Sequence, residues 1–290
     1  MSSNHMPVGL VCDPGCLLAE GPLWNSAERR LYFTDIEECC LWRCDPSTGH
    51  TEKFWQGSIK VGGFAFNLDG DLILCAGNQV LKLRSDGRTE TLFVMDFPKG
   101  ERFNDITTDP AGRIFAGTMN AGLYRLEKGR APVKLLDKVN CSNGMTFSLD
   151  NKIFYHTTTM DLVINCYDYD LSTGHIANPR QFFKCEKTDG LPDGLTMDLE
   201  GCLWSAFWQG GAIRRISSAG KVIKTIKLPA KIPTSVIFGG EGLRELFITT
   251  SSWGRIKAET RINAQGEFLG GGIYRVVPGA GGRAEWPADF

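Results

Sequence analysis

The stretch Leu191-Pro-Asp-Gly-Leu-Thr-Met-Asp-Leu-Glu-Gly, residues 191–201, decides the fold because its pattern recurs along the chain. The segment that starts at Asp193 aligns with Asn143-Gly-Met-Thr-Phe-Ser-Leu-Asp-Asn-Lys-Ile-Phe and with Asn104-Asp-Ile-Thr-Thr-Asp-Pro-Ala-Gly-Arg-Ile-Phe. Looser copies begin at Glu20, Gly63 and Thr234. We call the first residue of each copy its leader, and successive leaders are 43, 41, 39, 50 and 41 residues apart. A repeat of this length is typical of a propeller or a solenoid.

Each copy contains four short apolar segments separated by turn residues. In the copy led by Asp193, the predicted strands are 195–197, 203–207, 212–216 and 222–228, spaced as an antiparallel meander requires. Such a sheet has open edges and a half-buried face, and a closed ring of six sheets buries the faces. The sequence therefore predicts an all-β, six-bladed β-propeller with four antiparallel strands per blade. We expect segment 8–12 to supply the outer strand of the sixth blade.

Length and composition are those of one globular domain. The 290 residues are 42% hydrophobic and 22% charged, and no linker divides them, so we predict a single propeller domain over 8–290, with 1–7 a disordered start or tag remnant. The net charge of -1 offers no attraction for nucleic acid or an anionic membrane. The sequence shows neither a secretory signal nor an apolar run of spanning length. We therefore expect a cytoplasmic monomer or small homo-oligomer, with no nucleic-acid or membrane partner.

The chain has 10 cysteines, which raises the question of a disulfide framework or a zinc site. No Cys-x-x-Cys pair occurs, and the four histidines lack zinc-finger spacing. We therefore predict that most of the cysteines are small buried hydrophobic residues. The adjacent Cys39 and Cys40 are the pair most open to redox chemistry.

The leaders predict a polar ring. The first strand of a propeller blade lies closest to the axis, so the six leaders should converge around the central channel. Glu20, Asp193, Asn104 and Asn143 offer oxygen ligands, and two negative charges in a narrow channel repel each other unless a cation neutralises them. The sequence therefore predicts a metal site in the channel for one divalent cation. Ca²⁺ fits best, with Zn²⁺, Mn²⁺ and Mg²⁺ as alternatives.

A competing interpretation treats these leaders as ordinary turn residues, because Asn and Asp before Gly commonly cap strands. It accounts for any one of them, yet it gives no reason for Glu20 or for Arg102, which lies two residues before Asn104. No histidine occupies a leader position, which argues against a Ser-His-Asp hydrolase. Ser142 and Ser235 lie beside leaders without an evident base, and we expect them to be strand-end hydrogen-bonding residues.

Motifs along the whole chain resemble those of the senescence marker protein, regucalcin and gluconolactonase family, which includes luciferin-regenerating enzyme-like proteins. They are Ala19-Glu-Gly-Pro-Leu-Trp, Arg102-Phe-Asn-Asp, Ser142-Asn-Gly-Met, Leu191-Pro-Asp-Gly-Leu-Thr-Met-Asp and Pro233-Thr-Ser-Val-Ile-Phe-Gly-Gly. The resemblance implies a six-bladed propeller that binds a divalent metal in its channel and hydrolyses lactones. It further implies that Glu20, Asn143 and Asp193 are metal ligands, and that Arg102 and Asn104 hold the substrate.

The implied reaction is metal-dependent opening of a lactone. A cation would polarise the carbonyl as a Lewis acid, and the rigid donor fork of Arg102 would hold a substrate oxygen. The resemblance assigns Asp193 the role of catalytic base, although the residues alone leave open whether it takes a proton from water or only binds the metal. Asp105 and Thr158 are predicted to support the ring from behind its ligands.

Two departures from the family pattern bear on the substrate. Thr158 stands where relatives often have an aspartate, and the segment Gly117-Thr-Met-Asn-Ala-Gly-Leu-Tyr is tight where many relatives have a longer, lid-like loop. A shorter lid should leave the site more open, so we expect the protein to accept a bulkier lactone as well as sugar lactones as substrate. Two alternatives remain: a phosphotriesterase using the same metal site, and a non-catalytic propeller that binds calcium or another ligand.

Overall fold

The computed structural model describes residues 7–253 and 261–290. Within these ranges the strands form six four-stranded antiparallel sheets. Blade I contains β2 (Ala19–Asn25), β3 (Arg30–Asp35), β4 (Cys40–Cys44) and β5 (Thr51–Gln56). Blade II contains β6 (Val61–Phe66), β7 (Leu72–Ala76), β8 (Gln79–Leu83) and β9 (Thr89–Val94). Blade III contains β10 (Phe103–Thr108), β11 (Ile114–Thr118), β12 (Gly122–Leu126) and β13 (Val133–Asp137).

The second half repeats this plan. Blade IV contains β14 (Ser142–Phe147), β15 (Ile153–Thr158), β16 (Val163–Asp170) and β17 (His175–Lys184). Blade V contains β18 (Leu191–Met197), β19 (Leu203–Trp208), β20 (Ala212–Ile216) and β21 (Val222–Lys227). Blade VI contains β22 (Pro233–Gly239), β23 (Glu245–Thr250), β24 (Ile273–Val276) and, from the start of the chain, β1 (Gly9–Cys12). Short 3-10 turns cover Thr159–Asp161, Lys187–Asp189 and Glu241–Leu243.

The ring closes as predicted. β1 pairs with β24 as the outer strand of blade VI, and the inner strand β22 contacts β2 of blade I. The six-bladed propeller is thereby confirmed. The prediction for residues 1–6 falls outside the described residues.

The hydrophobic core lies between neighbouring blades. Each of six buried clusters draws its side chains mainly from two adjacent blades. Trp204 of blade V is fully buried and meets Phe238 of blade VI edge-on at 6.3 Å, while Trp24 of blade I stacks on Phe247 at 5.5 Å. Because apolar burial stabilises the fold roughly in proportion to area, the contacts that stabilise the blades also hold them in fixed positions around the channel.

The segment 281–290 runs across the end of the channel opposite the leaders. The Leu199 amide donates to the Gly281 carbonyl at 2.8 Å, Arg283 donates to the Phe147 carbonyl at 2.8 Å, and the Ala288 amide donates to the Phe66 carbonyl at 2.7 Å. These partners belong to blades V, IV and II. The segment therefore covers the lower end of the channel, which leaves the end with the leaders as the upper rim.

The cysteine prediction is confirmed for most positions. All ten cysteines are free thiols, eight of them are buried, and Cys39 and Cys141 are partly exposed. Cys40, grouped with Cys39 as a redox candidate, is buried. No helix in the described part of the chain is long and apolar enough to cross a membrane.

Candidate metal centre at the upper rim

A break in strand register accompanies the leader in all six inner strands. The pairing shifts between Glu20 and Leu23 in blade I, between Phe103 and Ile106 in blade III, and at the equivalent points of the other blades. An extra residue of this kind bends a strand and re-aims its side chains. Strict alternation of side chains therefore fails where the leaders lie, which sequence periodicity alone did not indicate.

Two leader carboxylates are buried in the channel with few donors. Glu20 and Asp193 are 8% and 4% exposed. The Gly21 amide donates to Glu20 Oε2 at 3.0 Å, whereas Asp193 Oδ1 is buried with no hydrogen-bond partner among the described residues. Burying a carboxylate oxygen without a hydrogen-bond donor is unfavourable in free energy, so a ligand that binds this oxygen would stabilise the site.

The pKa values of Glu20 and Asp193 are both raised, as expected for buried carboxylates with too little positive charge nearby. Burial, followed by the negative charge of Asp105, raises the pKa of Glu20 to about 8, although the Gly21 amide and Arg102 oppose the shift. Burial, then Glu20 and Asp105, raise the pKa of Asp193 well above its usual range. In the absence of a cation these carboxylates resist being ionised together.

A directed chain of hydrogen bonds links three blades at the rim. Arg102 Nη1 donates to Asn104 Oδ1 at 2.9 Å, and Asn104 Nδ2 donates to Asn143 Oδ1 at 2.9 Å. Asn143 Nδ2 then donates to Thr159 Oγ1 at 2.9 Å, and this hydroxyl donates to the Pro192 carbonyl at 2.8 Å. The chain therefore begins at a guanidinium and ends one residue before Asp193.

The two ends of this chain determine the orientation of both carboxamides. Arginine can only donate and a carbonyl can only accept, so Asn104 must turn its oxygen towards Arg102. Its Nδ2 also donates to the Ser142 carbonyl at 2.9 Å, which requires the same orientation. Asn143 Oδ1, which receives one hydrogen bond, retains a lone pair for a further partner.

Asp105 faces the channel below the ring. It lines a cavity of about 120 Å³ together with Ile106, Met145, Glu285 and Trp286. Burial, with Glu285 as a further cause, raises the pKa of Asp105 to about 7. Asp105 thus acts on Glu20 and Asp193 through its charge, and its predicted support of the ring stays a prediction.

Thr159, rather than Thr158, bonds to the ring. Thr158 is buried and ends β15 opposite Ser142, whereas the Thr159 hydroxyl holds Asn143. The sequence comparison drew attention to Thr158 because an aspartate is common at that position. The role of Thr159 is visible only in the tertiary structure, because it depends on the hydrogen bond from Thr159 to the Pro192 carbonyl between blades IV and V.

The remaining leaders have other roles. Gly63 contributes no side chain, and Thr234 donates to the Ala19 carbonyl at 2.6 Å, which ties blade VI to blade I. Ser142, which lacked an evident base in the sequence, pairs with His156 Nε2 at 2.7 Å. Both residues are 0% exposed, and His156 Nδ1 has no partner among the described residues. Among the residues that the structure describes, this pair has neither solvent access nor a third member, so it is structural.

The oxygen atoms of the ring fit a hard divalent cation. Glu20, Asp193 and Asn143 offer carboxylate and carboxamide oxygens, the ligands that Ca²⁺ accepts, and Asp193 Oδ1 has no donor in the described part of the chain. No group of three or more His, Cys, Asp or Glu side chains able to hold a metal occurs in the described residues. A cation here would therefore depend on the carboxamide as well as the carboxylates.

Comparisons with known proteins agree with the motifs. Residues 18–252 match the family described as SMP-30/Gluconolactonase/LRE-like region. The chain is 36% identical to pentonolactonase XacC of Haloferax volcanii over 98% of this chain and 99% of that one, and 34% identical to regucalcin of Gallus gallus over 90% of each. A solved luciferin-regenerating enzyme superposes with a TM-score of 0.89 at 28% identity, covering 98% of this chain and 100% of that one. The chain therefore belongs to the SMP-30/gluconolactonase/LRE-like family.

Proposed function

We propose that this protein is a lactonase whose activity depends on one divalent cation bound by Glu20, Asn143 and Asp193. The observation that supports this most directly is the buried Asp193 Oδ1, which has no hydrogen-bond partner in the described part of the chain and lies near a second buried carboxylate. Membership of a family that includes a pentonolactonase supports the reaction class. A bound divalent cation would supply Lewis-acid polarisation of the lactone carbonyl.

Arg102 and Asn104 are proposed to position the substrate. Arg102 Nη1 donates to the Phe103 carbonyl at 2.8 Å and to Asn104 Oδ1 at 2.9 Å. Both hydrogens of Nη1 therefore take part in hydrogen bonds, which leaves Nη2 and Nε for a lactone oxygen. Because the guanidinium is already held in place, little further ordering is needed when substrate binds.

Asp193 is proposed to accept a proton from the attacking water. Its burial excludes bulk water from that position, and segment 281–290 covers the lower end of the channel. Substrate therefore enters from the upper rim. There, the connection between β11 and β12 spans only residues 119–121, which supports the proposal that lactones bulkier than sugar lactones are accepted.

The test combines elemental analysis with a lactone panel. Purified protein should contain a near-stoichiometric divalent metal, lose lactone hydrolysis on chelation, and recover it on addition of Ca²⁺, Mn²⁺ or Zn²⁺. The panel should contain aldonolactones and larger lactones, and turnover restricted to the small ones would contradict the open site. Full activity in metal-free Glu20→Ala protein would refute the metal-dependent reaction.

The same preparations separate the alternatives. Faster turnover of a phosphotriester than of any lactone would identify a phosphotriesterase, because the same cation can polarise a P=O bond. Tight metal binding without turnover of any ester or lactone would identify a binding protein.

A further inference from the structure

We propose that Thr159 is a positioning residue that holds Asn143 with its carbonyl oxygen towards the channel, so that cation affinity depends on a hydroxyl outside the ligand set. This inference rests on the proposed cation site and concerns Thr159, which neither the family motifs nor the leader pattern singled out.

The direction of the hydrogen bonds supports it. The Thr159 hydroxyl donates its one hydrogen to the Pro192 carbonyl at 2.8 Å, so towards Asn143 it can only accept. Asn143 must therefore present Nδ2 to Thr159, at 2.9 Å, and Oδ1 to the other side. On that side Oδ1 receives Asn104 Nδ2 and keeps one lone pair free.

Thr159 is well anchored for this task. Its own amide donates to the Cys141 carbonyl at 3.0 Å, and its side chain reaches blade V at Pro192, the residue before Asp193. The residue is 5% exposed. One hydroxyl thus joins the strand that carries Asn143 to the strand that carries Asp193, and the spacing of these two ligands depends on it.

Loss of the hydroxyl leaves a weak substitute. The other acceptor near Asn143 Nδ2 in the described residues is Cys141 Sγ at 3.6 Å, and a thiol is a poor acceptor. An amide left without a proper acceptor in a buried position is unfavourable. The Asn143 side chain would then be held mainly by the hydrogen bond from Asn104 to Oδ1, so Oδ1 would be less firmly placed for a cation. Residues that orient ligands in this way affect metal affinity by about 10–100-fold.

Thr157 provides a matched control. It lies two residues earlier, is 0% exposed, and its hydroxyl has no hydrogen-bond partner among the described residues. Thr157 lies in β15 and Thr159 in the turn that follows it. Thr159→Val and Thr157→Val therefore remove the same group from neighbouring positions, once with two hydrogen bonds and once with none among the described residues.

Calorimetric titration of the metal-free protein with Ca²⁺ tests the proposal without using activity. We expect Thr159→Val to bind about 10–100-fold more weakly than the wild type, while Thr159→Ser and Thr157→Val retain wild-type affinity. In addition, lactonase activity of Thr159→Val should recover at saturating Ca²⁺, which a general loss of structure would not allow.

Two results would overturn the role of Thr159 alone: wild-type affinity in Thr159→Val, or an equal loss in Thr157→Val. An absence of cation binding by the wild-type protein would instead overturn the proposed function, and the role of Thr159 with it. Should Thr159→Val not fold, Thr159→Ala compared with Thr159→Ser supplies the same contrast, and equal affinity of those two variants would overturn the proposal.

Discussion

Asp193 and Asp198 lie near opposite ends of the same inner strand, and both are buried, yet their surroundings differ. Asp198 Oδ1 accepts from the Glu200 and Cys202 amides, each at 2.9 Å, and Oδ2 accepts from Trp204 Nε1 at 2.9 Å and Arg215 Nε at 2.8 Å. Asp193 Oδ1 accepts from nothing in the described part of the chain. Burial and residue type are thus shared, and the supply of donors separates a structural carboxylate from one suited to a ligand.

The same contrast appears in blade III. Asp109, at the lower end, accepts from the Ala111 and Arg113 amides, from Arg113 Nε at 2.6 Å and from Tyr169 Oη at 2.7 Å. At the upper rim the polar residues instead bond to one another, from Arg102 to Asn104. The carboxylates of the lower turns have their bonding capacity filled by donors, whereas Asp193 at the upper rim has an oxygen without a donor among the described residues.

The largest effect is expected at the lower end. Asp198→Ala should lower the free energy of unfolding by about 3–5 kcal/mol, because Trp204 Nε1 and the Cys202 amide lose their buried acceptor, while Arg215 keeps only the exposed Glu200. Chemical denaturation measures this. Asp198→Asn, which keeps an acceptor for Trp204, should lose less, and an unchanged midpoint for Asp198→Ala would remove the distinction between the two ends.

At the upper end, the effect should fall on activity rather than on stability. Asp193→Ala should reduce kcat on a lactone by about 10²–10⁴-fold, the usual loss when a positioned group that accepts a proton is removed. Its free energy of unfolding should stay equal or rise, because a poorly compensated buried carboxylate disappears. Steady-state kinetics and denaturation on the same preparation check both parts, and a stability loss like that of Asp198→Ala would contradict the comparison.

A bound cation should stabilise the protein only through the upper rim. At a Ca²⁺ concentration 100 times the dissociation constant, the free energy of unfolding should increase by about 2.7 kcal/mol. The increase should disappear in Glu20→Ala and remain in Asp198→Asn. Denaturation with Ca²⁺ and with chelator measures it, and an equal increase in both variants would place the ion elsewhere.

The smallest effect concerns His156, a structural residue close to the upper rim. Burial lowers the pKa of His156 from 6.5 to about 4, so between these values the unfolded chain binds the additional proton. The contribution of His156 to stability should therefore be complete above pH 6.5 and fall as the pH decreases towards 4, by up to about 1.4 kcal/mol per pH unit. Unfolding of the wild type and His156→Gln at pH 7 and pH 5 measures the difference, and identical pH dependence would show that His156 titrates normally.

Much of the fold was predictable because the information is local and repeated. The strands predicted at 203–207, 212–216 and 222–228 correspond to β19, β20 and β21 with shifts of a residue at most, since apolar runs between Gly and Asp turns define strands without distant contacts. The first strand was predicted too short: β18 begins at Leu191. Its first half carries the bulge, where alternation is interrupted.

The candidate site was predictable in residue type but not in detail. Propeller symmetry placed Glu20, Asn143 and Asp193 around one channel, because equivalent positions of a closed ring must converge. Symmetry could not show that Thr234 uses its hydroxyl to join blades VI and I. It also could not show that Ser142 has a histidine partner. Both contacts depend on side-chain direction at short range.

By itself, then, the sequence determined the number of blades, the strand that closes the ring and the polar residues that face the channel. It could do so because the same pattern of apolar segments and turn residues occurs six times. Only the tertiary structure decided which of those polar groups are satisfied. Asn104 meets Asn143, and Thr159 meets Pro192, across blade boundaries, where no local pattern records the pairing. Asp193 differs from them because its Oδ1 has no hydrogen-bond partner among the described residues. Such a difference arises only when the blades pack and bring donors and acceptors together.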